Sequence, residues 1–474
     1  MEENQNVSSR PVNPRRRKPT PMQIFKERYL PLIILALTAI LLVTFVIGSI
    51  VRAVQRNKIE EAAALAAAEE AARISEEAKT IEQDAAVLAG MYDYQGAVSL
   101  IDGFSGNLAD YPVLQDLRNQ YITANDQLVT WDDPNSVLSL SFQMLIADPD
   151  RAFGHEEQGE SMLYHYITTS EFSRLLEQLY ANNYILVSPD DFVATQSSQA
   201  GQEVMTISPL RLPVGKKPLL LTQTNVNYDL FLVDSNNDMV PDAESCGFAS
   251  RLVLDTDGSV TCEYIDAEGQ THTGAYDLIP ILDDFIAEHP DFSYRGAKAI
   301  IALSGHEGLF GYRTGTEFEN YLGTAKHDEE VAGAKVIANA LIRSGYDLAC
   351  YTYGNVGYGN MTPDQIQQDQ TQWLQEITPI IGQTNTLVFA KVSDIAASNV
   401  DYSGDAFEFL KQAGYKNFIG FANNGSCWVT VKEDHMRHGR ILITGNNLIN
   451  NAAWFEEILE PMVVLDMVTR DKYM

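Results

Sequence analysis

Apolar and polar positions change their rhythm along this chain, and each change marks a segment. Tyr29 to Val51 is 23 residues without a charge, dominated by Leu, Ile, Val and Ala, which is the length that crosses a bilayer core. Ile59 to Asp84 turns to Ala and Glu with only Leu65, Ile74 and Ile81 as apolar points. That pattern predicts a mostly exposed helix carrying pairs such as Glu69 with Arg73. From Ala85 to Gln127, Ala86, Leu88, Tyr92, Tyr94, Ala97, Leu100 and Ile101 recur at helical spacing, with a break near Gly106. These predict one helix-turn-helix unit, too small to bury much by itself and expected to dock on the larger domain C-terminal to it.

Beyond Trp131, strand-like runs alternate with amphipathic stretches: Glu171 to Ala181, Tyr276 to Glu288, Asp328 to Ser344, Pro363 to Ile381 and Asp405 to Ala413. Such alternation predicts parallel strands with helices outside them. Arg251 to Leu254 and Val260 to Tyr264 read as an inserted hairpin about Asp257-Gly258. The chain therefore divides into a basic tail (1–28), a transmembrane helix (29–51), a helical stalk (52–84), a helical hairpin (85–130) and an outer domain (131–474).

Charge orients this arrangement. Seven Lys or Arg precede the apolar run and three follow it closely, which keeps the short N-terminus cytoplasmic and sends the C-terminal domain outside. The run is long and no small-x-small cleavage site follows it cleanly, so a single-pass anchor is expected over a cleaved signal. Residues 1–58 hold ten of the 33 basic and three of the 64 acidic side chains, leaving a formal −38 on the rest. That excludes nucleic acid, and anionic wall polymers held by bulk charge, as partners. A homodimer through the stalk stays open as an alternative to a lone helix, although unbroken heptads are absent.

The candidate chemistry lies where strands end. Leu219-Leu220-Leu221-Thr222-Gln223-Thr224-Asn225-Val226-Asn227-Tyr228 starts apolar and turns abruptly polar, as a buried strand does when it delivers side chains to a site. Gly345-Tyr346-Asp347-Leu348-Ala349-Cys350-Tyr351-Thr352-Tyr353-Gly354-Asn355 is a second such place, followed by the helix start Thr362-Pro363-Asp364. Together these segments resemble the motifs of the polysaccharide deacetylase family, carbohydrate esterase family 4. The segments Gly247 to Asp255 and Gly311-Tyr312-Arg313-Thr314 are similar to a membrane-anchored Gram-positive branch of it. The resemblance runs from about Asn135 to the C-terminus and implies a deformed (β/α) barrel. It also implies hydrolysis of N-acetyl groups by an Asp base, with a metal held by an Asp and two His. Aligned by hand, the base position is Thr224, the metal-binding Asp is Asn225, and the two His positions are Tyr351 and Asn355. A third motif falls on Phe389-Ala390-Lys391-Val392.

None of these replacements can do the family's work. Metal-assisted amide hydrolysis needs a cation to polarise the carbonyl and a base to take the proton of bound water. Thr224 is no base near neutral pH, and Asn225, Tyr351 and Asn355 are poor ligands for zinc. No metal is expected at the old zinc site.

Other residues keep candidate roles. His306, just past the Ile300 to Ser304 run, is the histidine nearest the old pocket, and Tyr228, Tyr312, Tyr353 and Trp428 are candidate cleft-lining aromatics. Asp234, Asn236, Asp238 and Asp242 present oxygens at alternate positions, as calcium loops do, although Met239 stands where such loops prefer Gly. His435 and His438 are three apart, a spacing that allows a zinc pair on a helical turn, although Met436, Arg437 and Arg440 around them read as loop or strand edge. Cys350 and Cys427 are either a bridge across the pocket or two free thiols.

Three function classes remain. The leading expectation is a tethered, extracellular, catalytically inactive deacetylase-like domain that binds a cell-wall glycan or an envelope protein. The alternatives are an active metal-dependent N-deacetylase with displaced ligands, such as His306 with Asp229 or Asp394, and a structural or assembly protein of the envelope.

Overall fold

Residues 20–131, 133–197, 203–236 and 238–474 are described by the structure, a computed structural model, which falls into two units, Met1–Lys79 and Thr80–Met474. Within the first unit the chain is helical from Pro21 onward, as part of a helix α1 (Pro21–Gly90) whose most apolar stretch has a mean hydropathy of 2.9. Among the described residues this is the one helix with the length and composition of a membrane anchor or signal. Past the apolar stretch, Arg73 pairs with Glu70 at 2.8 Å and Glu77 at 2.9 Å rather than with the expected Glu69. Residues 1–19 of the basic tail lie outside the described residues.

In the second unit the end of α1 is followed by a helical hairpin, α2 (Tyr94–Asp102) and α3 (Pro112–Asp126). Asp93 caps α2 by accepting from the Gly96 amide, and Arg118 of α3 reaches back to Asp102 at its end. The pair docks on the domain through backbone groups: the Arg295 amide donates to Met91 O, and Arg211 donates to the carbonyls of Asn125 and Leu128.

Strand formation follows from alternation. In β3 (Lys217–Thr224), Leu219 and Leu221 join the outer core under the helices, while Leu220 belongs to the apolar cluster that closes the lower end of the barrel. The other strands are β1 (Leu138–Phe142), β2 (Tyr184–Leu186), β4 (Ile300–Leu303), β5 (Asp347–Cys350), β6 (Thr386–Val388), β7 (Asn417–Phe421) and β8 (Met436–Leu442). All pairings among them are parallel, and the order β1-β3-β4-β5-β6-β7-β8 closes back on β1. The result is a seven-stranded barrel. Strand β2 is the deformation: it pairs with residues 217–219 of β3, while β4 pairs with residues 222–224 on the same side. Eight residues of β3 are long enough to serve both neighbours end to end.

Helices α4 (Thr169–Ala181), α5 (Leu278–Glu288), α6 (Thr324–Arg343), α7 (Pro363–Gln372, helical on to Ile381) and α8 (Asp405–Gln412) cover the outside. Their starts are written locally: Thr168 with Glu171 and Thr362 with Gln365 form capping boxes, and Pro363 occupies the first turn. The insert is a three-stranded sheet, because Thr271–Gly274 adds to the expected hairpin. That strand is polar and mostly exposed, so it carried no apolar alternation to read.

Strand β8 corrects the reading of His435 to Arg440 as loop or edge. It is a central stave whose polar residues are buried. His435 and His438 point to opposite faces, as residues three apart on a strand must. His435 stacks on Tyr402 and packs against Phe407, whereas His438 is wholly buried, so the two form no zinc pair.

Candidate functional site at the barrel mouth

Backbone strain singles out the C-terminal rim. Asn225 and Tyr228 after β3, Glu307 and Phe310 after β4, Thr352 and Asn355 after β5, and Lys391 and Val392 after β6 all have φ between 50° and 66°. Non-glycine residues in that region are strained, and such residues persist where surrounding contacts over-determine them, commonly at functional sites.

Both motifs reach this rim. Ala302 of β4 lies opposite Thr224, and Leu303 lies opposite Cys350, so β4 separates the two motif strands. At the usual strand spacing their backbones stand about 10 Å apart. Thr224 spends its hydroxyl on Phe142 O at 3.0 Å. Asn225 donates to Asp229 Oδ2 at 2.8 Å and accepts from Ser304 Oγ at 3.0 Å. Tyr351 packs over the lumen residues Ala302, Ala349 and Ile419, and Asn355 sits half-buried in the following loop. With Thr224 and Asn225 committed to protein partners, and a phenol and an amide at the remaining two positions, the four do not fit the family's zinc.

A different trio converges beside them. Asp229, His306 and Glu307 each present a ligand-type atom, all within 4.8 Å of one another, with His306 Nδ1 and Asp229 Oδ1 3.8 Å apart. Asp229 is buried and its Oδ1 has no hydrogen-bond partner, whereas the His306 ring is half exposed. The adjacent Asp229 carboxylate raises the His306 pKa against the opposing effects of burial and Lys391. Wholly buried Asn227 fixes the loop by placing its amide nitrogen 2.9, 2.6 and 2.6 Å from the carbonyls of Ser304, His306 and Gly308. Arg313 donates to Glu307 O and Tyr228 O, while Leu230 N donates to the Glu307 carboxylate. Glu307 was missed from sequence, although it adjoins His306 at the end of β4.

On the β6–β7 side of the mouth lies a cleft of about 900 Å³, lined among others by Asn360, Lys391, Asp394, Asn423, Asn424 and Trp428. Trp428 is half-buried, with its indole N–H donated to Phe421 O and the Arg437 guanidinium 5.3 Å from its ring. Asp394 is held by Tyr402 at 2.7 Å and Arg437 at 3.2 Å, so its carboxylate serves the cleft wall. The remaining aromatics lie elsewhere. Tyr228 is wholly buried and donates to Asp277 at 2.6 Å, Tyr312 stacks under Arg251, and Tyr353 donates to Glu376. Residue type alone does not reveal which tyrosines go inward.

In the candidate calcium loop the oxygens point to the loop's own backbone. Asp234 accepts from Met239 N, Asn236 from Asp238 N, Asp238 from Val240 N, and Asp242 from the amides of Ser235, Asn236 and Glu244. Asn237 lies outside the described residues. All four cysteines are free. Cys350 faces α7 through Gln370, while Cys427 meets the Ser139 amide on β1, across the barrel, so no bridge joins them.

Beneath the mouth, Ser139 and Ser141 of β1, Thr222 of β3, and His438 and Arg440 of β8 make a polar stripe on adjacent strands. Both serine hydroxyls, the threonine hydroxyl, both His438 nitrogens and Arg440 Nε are buried without protein partners. Buried polar atoms of this kind are ordinarily satisfied by water or a ligand. Burial, helped by Arg440, pushes His438 down to about 3, so its ring is neutral.

No family model matches the chain, and none of the curated proteins does. Among solved structures, one described as Streptococcus pyogenes deacetylase PplD in complex with acetate is similar at 13% identity and a TM-score of 0.32, over 67% of this chain and 94% of that one. A likeness of that strength carries no argument about function. What the fold and site define is a closed parallel barrel with a strained, polar mouth.

Proposed function

We propose that the protein is a membrane-tethered, extracellular, deacetylase-like barrel that binds a cell-wall glycan at its mouth without hydrolysing it. The carrying observation is the pairing of a disabled catalytic position with an open polar cleft. Thr224 donates its hydroxyl to Phe142 O, while side-chain amides, one lysine and one tryptophan line a space of about 900 Å³ nearby. Amides and a lysine offer directional hydrogen bonds to hydroxyl and N-acetyl groups, and an indole face stacks on a sugar ring. The apolar helix and the basic residues before it support tethering with the barrel outside.

The test is calorimetric titration of the detergent-solubilised full chain with N-acetylglucosamine oligomers, alongside an assay for released acetate. Saturable binding without acetate release supports the reading. Acetate release at enzymatic rates, or no binding at millimolar oligomer, overturns it.

A further inference from the structure

We infer that Asp229, His306 and Glu307 form a divalent-cation site at the barrel mouth, taking a borderline ion such as Zn²⁺ or Mn²⁺. The site is distinct from the four motif positions, and the inference does not depend on glycan binding.

Geometry comes first. The three ligand atoms lie within 4.8 Å of one another, with His306 Nδ1 and Asp229 Oδ1 3.8 Å apart. A tetrahedral shell of about 2.1 Å radius sets ligand atoms about 3.4 Å apart. The 3.8 Å pair needs to close by about 0.4 Å and a pair at the 4.8 Å limit by at most about 1.4 Å, a movement within reach of the half-exposed His306 ring.

The second observation is the unpartnered oxygen. The Asp229 side chain is only 6% exposed, yet Oδ1 makes no hydrogen bond and faces the space that His306 borders. A buried carboxylate oxygen without a hydrogen bond is costly, and a cation satisfies it directly. The supporting contacts are those that orient ligands in metal sites. Asn225 holds Oδ2 of Asp229, Asn227 fixes the His306 carbonyl, and Arg313 fixes that of Glu307, whose backbone is kept at φ 58°.

Donor chemistry selects the ion. One imidazole and two carboxylates suit zinc or manganese, whereas calcium and magnesium take oxygen ligands alone. The exposed side of His306 leaves a coordination position open to water or an incoming ligand atom.

Full-length protein stripped with chelator and titrated calorimetrically with Zn²⁺, and separately with Mn²⁺, tests the assignment. One ion per chain is expected, with affinity lowered more than ~10-fold by His306→Gln and by Asp229→Asn, as loss of one ligand of three requires. The exposed His306→Gln change leaves the fold intact, which circular dichroism verifies, and His435→Gln serves as a control that leaves binding unchanged. Absence of binding in the unmodified chain overturns the assignment. So does binding that survives both ligand substitutions, because the ion then sits elsewhere. Because the readout contains no sugar, failure of the glycan proposal leaves this result interpretable.

Discussion

Asn225 donates its side-chain amide to Asp229 Oδ2 at 2.8 Å, so it orients the buried carboxylate beside His306. Asn225→Asp removes that donor and sets two carboxylates in contact. In metal-free protein the change is expected to cost about 1–3 kcal/mol, through the lost hydrogen bond and like-charge repulsion. Saturating Zn²⁺ should reverse the loss and raise the melting temperature above that of the metal-free variant. Thermal melts of both proteins with and without Zn²⁺ check this, and an unaltered melting temperature in the absence of metal would show that the two side chains are not in contact.

Trp428 is the partly exposed aromatic of the β6–β7 cleft, which buried Phe421 also lines, and it is fixed through its N–H to Phe421 O. Trp428→Ala removes the stacking face, which is worth about 0.5–1.5 kcal/mol, or roughly a 2- to 13-fold loss in oligosaccharide affinity. Tyr228→Phe, deep in the core, leaves the cleft surface untouched and should not alter that affinity. Parallel calorimetric titrations separate the two.

His438 makes folding sensitive to acid. Its pKa in the fold, about 3, lies below the ordinary value of 6.5, so between those limits the unfolded chain binds a proton that the folded chain refuses. Stability from this group is therefore complete above about pH 6.5 and falls as pH drops toward 3, by up to about 1.4 kcal/mol per pH unit. Urea titrations from pH 7.5 to 4.5 measure the slope. His438→Asn should flatten it, and an unchanged slope would place the acid sensitivity in other groups.

Glu171 and Arg470 form an ion pair in which neither side chain is exposed, tying the last short helix to the start of α4 at 2.7 Å. Arg470 also donates to the carbonyls of Leu163 and Tyr166. Breaking one side of such a pair strands the other charge, so Arg470→Met is expected to cost about 3–5 kcal/mol. Glu171→Gln likewise leaves the Arg470 guanidinium buried without its counter-charge and should cost a comparable amount, whereas replacing both residues by apolar ones of similar volume should cost less than either single change. Denaturant midpoints compare the three variants, and a double variant as unstable as the sum of the single ones would count against a stranded charge as the cause.

Local physics makes much of this molecule legible from its residues alone. The uncharged run Tyr29 to Val51 determines an apolar helix of membrane-spanning length. The capping pairs Thr168 with Glu171 and Thr362 with Gln365 mark helix starts from residues three apart, and the switch from Leu219-Leu220-Leu221 to Thr222-Gln223-Thr224 marks a buried strand that ends at a polar place. These signals sit within a few residues of one another, so the chain states them directly. What the tertiary structure decided is everything that depends on partners far along the chain. Met436, Arg437 and Arg440 read as loop or strand edge because polarity is judged one residue at a time, yet barrel closure between β7 and β1 buries them. Whether Tyr228 or Trp428 borders open space depends on Asp277 and Arg437, neither of which is adjacent in sequence to the ring it meets. The meeting of Asp229 with His306 and Glu307 requires β3 and β4 to lie side by side, with the residues between them, the inserted sheet and α5 among them, folded out of the way. Register between neighbouring strands, set by the whole barrel, brings those three groups together.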